Sequence, residues 1–147
     1  NEEIKDLLNI NLVAPILLTK TLIPLMLHQE KAQIINIGSM YSIFGSPLAA
    51  SYAASKGGIA RLTMALANEW AGKGVNVNAI APGYISTDNT AALREDKDRS
   101  SSILGRIPAG RWGEPEDFKG PVVFLASEAA NYVHGTILTV DGGWMGR

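Results

Sequence analysis

A three-layer α/β fold around a parallel sheet is the class this sequence predicts, on three observations. Short strand-like runs at 33–38, 75–80 and 136–140 alternate with longer segments of helical period. The run Gln33-Ile-Ile-Asn-Ile-Gly38 is apolar on both faces, as strands of a parallel sheet are. No linker divides the 147 residues, a length normal for one domain.

In chain order, residues 2–28 predict a long helix. Leu7, Leu8, Leu12, Ile16, Leu18, Leu22, Leu25 and Met26 give it a wide apolar face, interrupted at Pro15 and Pro24. The strand at 33–38 follows. Tyr52 to Ala71 predicts a second helix, stopped by Gly72 and Gly74. Val75 to Ile80 is the next strand. Residues 90–104 are rich in Asp, Arg and Ser and poor in apolar residues, so they read as a cap or lid. Pro115 suits the first turn of a helix that ends near Ser127. Ile137 to Val140 is the last strand. The helices at 2–28 and 52–71 are expected on one face and that at 114–127 on the other, with right-handed crossovers.

The net charge is −1, so neither a nucleic acid nor a membrane surface is an expected partner. There is no cysteine, which excludes disulfides and thiolate metal sites and fits a cytoplasmic protein. His28 and His134 stand alone, so no metal site is expected. Asn, Lys, Gln or Pro breaks each apolar stretch, and no membrane span is expected. Asn1 opens the sequence with no signal-peptide pattern behind it.

The chemistry centres on Ser51-Tyr-Ala-Ala-Ser-Lys-Gly-Gly58. Tyr52 and Lys56, four apart on a helix, share a face. A nearby ammonium favours the phenolate, which brings a group of ordinary pKa about 10 toward use near neutral pH. Ser39 ends the first strand, thirteen residues before the tyrosine. Its hydroxyl could bind the oxygen of a carbonyl or alcohol. Ser42, Ser46 and Ser51 compete with Ser39, and Ser42 reads as loop. Tyr41 competes with Tyr52, but no lysine lies one turn beyond it. The three groups suit reversible proton transfer at a C–O group, the companion of hydride transfer.

Three further segments follow in order: Asn11-Leu-Val-Ala-Pro15, Asn78-Ala-Ile-Ala-Pro-Gly-Tyr-Ile-Ser-Thr87 and Thr139-Val-Asp-Gly-Gly143. With Ser39, Tyr52 and Lys56 they make the chain resemble the classical short-chain dehydrogenase/reductase family from Asn11 onward. The resemblance implies the C-terminal part of a Rossmann-like doubly wound sheet, its last three strands with flanking helices. No Thr-Gly-x-x-x-Gly-x-Gly cradle for a pyrophosphate occurs in these residues, so the N-terminal dinucleotide half is expected to be absent. Residues 1–147 are thus expected to be a single partial domain, with a substrate lid at 84–113.

The family likeness assigns catalytic roles to Asn11, Ser39, Tyr52 and Lys56. Asn11 has independent support: Pro15 lacks the N–H that would bond its carbonyl, which frees that oxygen to hold a water. Asn9 has no such proline. Cofactor contacts are implied for Tyr52, Lys56, Pro82, Gly83, Ile85 and Thr87, the last two at a nicotinamide carboxamide. NAD(H) is favoured and NADP(H) left open. Ser39, Tyr84, Arg94 and Arg99 are candidate substrate residues, and an arginine there could clamp a carboxylate. Arg111 and the Asp141 turn read as structural, and Trp70 as packing.

Asn68-Glu-Trp-Ala71, Asp88-Asn-Thr90 and Gly105-Arg-Ile-Pro-Ala-Gly-Arg-Trp-Gly113 resemble the branch acting on sugar acids of the 2-deoxy-D-gluconate or 2-dehydro-3-deoxy-D-gluconate type. A small sugar acid and a homo-oligomer, a tetramer, are the implied partners. Gluconate 5-dehydrogenase and 3-oxoacyl carrier-protein reductase are the alternatives within the enzymes. An inactive, oligomer-forming fragment is the alternative outside them. Expressed alone, the chain is expected to be poorly soluble or molten and to show no dehydrogenase activity.

Overall fold

The computed structural model describes residues 2–45 and 49–146. Ser46, one alternative to Ser39, lies outside them. Three strands form one sheet: β1 (Ala32–Ile37), β2 (Val75–Pro82) and β3 (Ile137–Val140), in that spatial order. Both pairings are parallel, with Ala32 opposite Val75, Ile37 opposite Ile80, and Ala79 opposite Ile137. The predicted strands hold to within two residues at each end.

The first helical stretch runs from Glu2 to Met26 without a break. It consists of α1 (Glu2–Leu8), a π turn (Asn9–Val13) and α2 (Ala14–Met26). Neither proline ends it. Pro15 enters in the first turn after the π segment, and Pro24 lies inside α2. Uninterrupted, this helix is long and apolar enough to cross a membrane by length and composition, which the reading of its polar residues as breaks had excluded. Its apolar character has a use within the fold: Ile10, Ala14, Leu18, Leu22 and Met26 line a cavity shared with β1.

Helix α3 (Ala50–Trp70) leads from β1 to β2. Its Ala67 and Trp70 pack on Val75 and Val77, with Ile23 and Met26 of α2 against the same cluster. Gly58 sits where α3 meets the first helix: a Cβ there would lie 2.9 Å from two Leu12 methyls. Helices α4 (Ala91–Glu95) and α5 (Lys97–Leu104) form the expected polar segment. A 3-10 turn begun by Pro115 leads into α6 (Lys119–Ala126). Leu125 of α6 and Ala130 cover Ile80, Ile35 and Leu138 on the opposite face. Residues 34 and 77 thus face α3, and 35 and 80 face α6, the period of two of a strand.

One expectation fails. Both connections step the same way across the sheet, yet α3 and α6 lie on opposite faces, so the two crossovers have opposite hands. The right-handed rule rests on a compact strand–helix–strand unit. Residues 83–136 are a long excursion that forms the polar helices before returning, which relaxes that constraint.

β2 is central and buried along most of its length. Among the described residues, β1 is paired on one side only. Ala32 and Gly38 donate to Gly74 and Ile80 carbonyls, so the even-numbered residues turn their backbone groups toward β2. Gln33, Ile35 and Ile37 turn theirs to the open edge.

Candidate active site

β1 delivers Ser39 to the carboxyl end of the sheet. Ser39 caps a short 3-10 turn, Met40–Ser42, and its Oγ accepts the Tyr41 N–H at 3.2 Å. Ser42 Oγ accepts the Ser39 N–H at 3.1 Å and donates to the Lys56 carbonyl at 2.7 Å. Ser42, read from the sequence as loop, therefore ties the Ser39 turn to α3. The turn presses close to the strand: a Cβ on Gly38 would lie 2.9 Å from Ser42 Oγ and 3.2 Å from the Ile80 oxygen.

Tyr52 and Lys56 stand on the first turns of α3. Lys56 Nζ is 5.8 Å from the centre of the Tyr52 ring. The ammonium donates to the Ile37 carbonyl at 2.9 Å, one of the open-edge oxygens. Burial pulls the Lys56 pKa below its ordinary value. Tyr41, the alternative to Tyr52, meets its ring edge-on with centroids 5.9 Å apart and so forms wall beside it.

Asn11 lies in the π turn. Its Nδ2 donates to Ser55 Oγ at 3.2 Å, and Ser55 Oγ donates to the Tyr52 carbonyl at 2.7 Å. Ser55 is fully buried. It went unremarked in the sequence because a serine in a helix carries no signal of what it spans. Asn9 is exposed.

Two cavities flank these groups. One, about 280 Å³, is lined by Ser39, Tyr52, Pro82, Gly83, Tyr84 and Arg99 among others. The other, about 760 Å³, runs between the first helix and β1 and takes Asn11 and Lys56. Gly83 is needed where β2 ends, because a Cβ there would stand 2.6 Å from the Asp141 Cα. Burial, and then the neighbouring Tyr41 hydroxyl, push the Tyr84 hydroxyl's pKa up.

Ile85 and Thr87 follow just beyond, outside both cavities. Ile85 forms a parallel bridge with Gly113, whose N–H reaches the Tyr84 carbonyl and whose C=O accepts the Ser86 N–H. That pattern turns the Ile85 N–H the other way, where no described residue accepts it. Thr87 is braced by Thr90, with the Thr87 N–H 3.1 Å from Thr90 Oγ1. Arg94 also lies outside the cavities: its guanidinium donates to the Thr87 carbonyl at 3.1 Å.

An unpaired N–H at Ile85 and a hydroxyl at Thr87 fit a carboxamide. A tyrosine and a serine at the ends of β1 and α3, with a lysine beside the tyrosine, fit a carbinol or ketone. Chemically, then, the site fits the nicotinamide end of a dinucleotide beside an alcohol or ketone.

The chain belongs to the short-chain dehydrogenase/reductase family. The family model that matches residues 1–145 is described as Enoyl-(Acyl carrier protein) reductase (adh_short_C2). More particular likenesses lie among the sugar-acid dehydrogenases. The 2-dehydro-3-deoxy-D-gluconate 5-dehydrogenase of Pseudoalteromonas atlantica is 60% identical over 140 residues, 95% of this chain and 55% of that protein. Its counterpart in Bacillus subtilis is 51% identical over 99% of this chain and 58% of that protein. A crystal structure of a gluconate 5-dehydrogenase from Burkholderia cenocepacia, in complex with NADP and tartrate, superposes with a TM-score of 0.96 at 35% identity. The match covers all of this chain and 58% of that one. The chain thus spans little more than half the length of the relatives it matches.

Proposed function

We propose that this chain is the catalytic part of a dehydrogenase that interconverts a carbinol and a ketone on a sugar acid of the 2-deoxy-D-gluconate or 2-dehydro-3-deoxy-D-gluconate type. One observation carries the reading: Ser39, Tyr52 and Arg99 line a single cavity at the carboxyl ends of the strands, where α/β sites gather. At about 280 Å³ the cavity is at the small end for ligand sites, which suits a six-carbon acid better than a long acyl chain. The names of the relatives reported above support the same class.

In the oxidative direction the Tyr52 oxygen takes the carbinol proton while the C–H electron pair leaves as hydride, and the C–O bond becomes a carbonyl. Ser39 Oγ–H donates to the same substrate oxygen. Its position is fixed because the Tyr41 N–H already occupies one acceptor site. Lys56 lends positive charge on the tyrosine's side, and Asn11, through Ser55, holds the turn that carries Tyr52. A nicotinamide dinucleotide, when bound, accepts or supplies the hydride. Lys56, Pro82, Gly83, Ile85 and Thr87 would hold its nicotinamide end. The sequence favoured NAD(H); the solved relative carries NADP, so the reading stops at a nicotinamide dinucleotide of either kind. Residues 84–113 serve as the lid, and exposed Leu17 and Leu18 offer an apolar surface for a homo-oligomer.

The test uses the protein that contains this chain. Tyr52→Phe is expected to lower turnover by about 10²- to 10⁴-fold with dinucleotide binding retained. Lys56→Ala is expected to weaken both. Retained turnover in Tyr52→Phe would remove the acid–base assignment. A panel of sugar acids and acyl thioesters decides the substrate class: preference for thioesters would transfer the protein to the acyl-reductase reading. Titrating the 147-residue chain alone with NADH and NADPH tests the inactive-fragment alternative.

A further inference from the structure

Four arginines lie between residues 94 and 111, and three of them are engaged. Arg94 holds the Thr87 carbonyl. Arg106 stacks over the Trp144 ring, 3.9 Å from its centre. Arg111 makes a two-pronged ion pair with Asp117, at 2.8 and 2.7 Å, and also reaches the Trp112 carbonyl. Arg99 differs. Its backbone N–H is capped by Asp96 at 3.0 Å, but no hydrogen-bond or ion-pair partner for its guanidinium occurs among the described residues.

Arg99 also has a distinctive place. It lines the 280 Å³ chamber with Ser39 and Tyr52, and a second, outer cavity of about 370 Å³ with Asp98 and Ser102. Tyr84 and Ile103 line both. Asp98 touches only the outer cavity. Among the described residues lining the inner chamber, the Arg99 guanidinium is the only formal charge; the polar remainder is hydroxyl, from Ser39, Tyr41, Tyr52, Tyr84 and Thr90. Neutral hydroxyls around one unengaged cation suit a polyhydroxylated anion.

Resting on the sugar-acid reading, we infer that Arg99 receives the substrate's carboxylate at the wall of the inner chamber and thereby separates acids from neutral sugars of equal length. A guanidinium can take both carboxylate oxygens at once. Anchoring one end there leaves the carbon that reaches Ser39 and Tyr52 to be set by its distance from the carboxylate. Arg94, the other candidate from the sequence, is held instead by the Thr87 carbonyl.

The experiment compares 2-deoxy-D-gluconate with its neutral primary amide, in the protein that contains this chain and in Arg99→Gln and Arg99→Lys. Arg99→Gln is expected to raise KM for the acid about 10- to 100-fold while KM for the amide changes less than about twofold. Arg99→Lys should fall between, because an ammonium keeps the charge and loses the fork. Retained turnover of the amide shows that the variant is folded. A preference for the acid that survives Arg99→Gln would overturn the inference and leave the sugar-acid reading standing. Equal losses on both compounds would also overturn it, since they assign Arg99 to the fold. A wild-type protein that prefers acyl thioesters would overturn the reading and this inference together.

Discussion

Ile80 and Ile37 face each other across one ladder of the sheet, and their surroundings could hardly differ more. Ile80 is fully buried between β1, β3 and the α6 side; Ile37 is 56% exposed. The contrast extends along both elements. Val75, Val77, Ala79 and Ala81 of β2 are wholly buried, whereas Ala32 to Asn36 of β1 are only half-buried, and Ile10, Leu17, Leu18 and Leu25 of the first helix stand open. These stretches are equally apolar in sequence. Burial follows from having a neighbour on each side, which β2 has and β1 lacks. The chemistry sits on the less covered side: Lys56 reaches an open-edge carbonyl, and Asn11 lies on the first helix.

The widest separation between the two sides should come from truncating that isoleucine pair. Ile80→Ala is expected to cost about 2–5 kcal/mol, the range for a large aliphatic side chain removed from a packed core. Ile37→Ala should cost less than about 1 kcal/mol. Urea unfolding of both variants measures this, and equal costs would break the comparison. Buried polar groups should follow the same order. Asn78 donates to the Val133 carbonyl at 2.8 Å and accepts the Thr136 N–H at 3.0 Å. Asn78→Ala leaves the Thr136 N–H unpaired and the Val133 carbonyl with only the longer Asn76 bond at 3.3 Å, an expected loss of about 2 kcal/mol. Asn36, with a single bond to Thr63 at 3.0 Å, should cost about 1 kcal/mol when replaced by Ala.

Ser42→Ala tests the join between the sides. It unpairs the Ser39 N–H and one bond to the Lys56 carbonyl, so stability should fall by about 1–2 kcal/mol. Turnover should drop by about tenfold, the effect of a misplaced reacting group being large for small shifts. Steady-state kinetics with unchanged turnover would show that Ser39 is held by other means.

The smallest effect concerns Lys56 and pH. Burial disfavours its charged form, so its folded pKa lies below the unfolded value. The folded state therefore carries a cost at neutral pH, and that cost fades as pH rises from the folded pKa toward the ordinary lysine range. Lys56→Met should lower turnover yet raise stability at pH 7 slightly, by less than about 0.5 kcal/mol given solvent screening. The gain should shrink toward pH 10, as thermal melts at several pH values would show.

The strands and the placing of Ser39, Tyr52 and Lys56 at one end of the sheet were legible because each rests on local pattern: a short apolar run, a turn residue, a spacing of four. Tertiary partners were not. Ser42 and Ser55 act by bridging elements distant in sequence, and nothing in their neighbours announces it. Arg94 and Arg99 look alike in a charged segment; only the fold shows that Thr87 captures one and leaves the other facing a chamber. The opposite hands of the crossovers were hidden for a similar reason, since a long excursion can return on either face. The prolines misled through their general rule. Both were read as interruptions, yet the helix continues through them.

That continuity has a consequence for insertions and deletions. A π turn is in effect an α-helix with one residue added, and each residue advances the helix by about 100°. The turn at Asn9–Val13 therefore sets α1 out of phase with α2 by about that angle. Removal of a single codon within it would restore regular winding and leave a continuous helix. Glu2–Leu8 would then swing about a quarter-turn around the axis relative to the residues beyond Pro15, and Asn11 would lose its alignment with Ser55. Such an event would be nearly silent in helix content measured by circular dichroism, and visible in turnover.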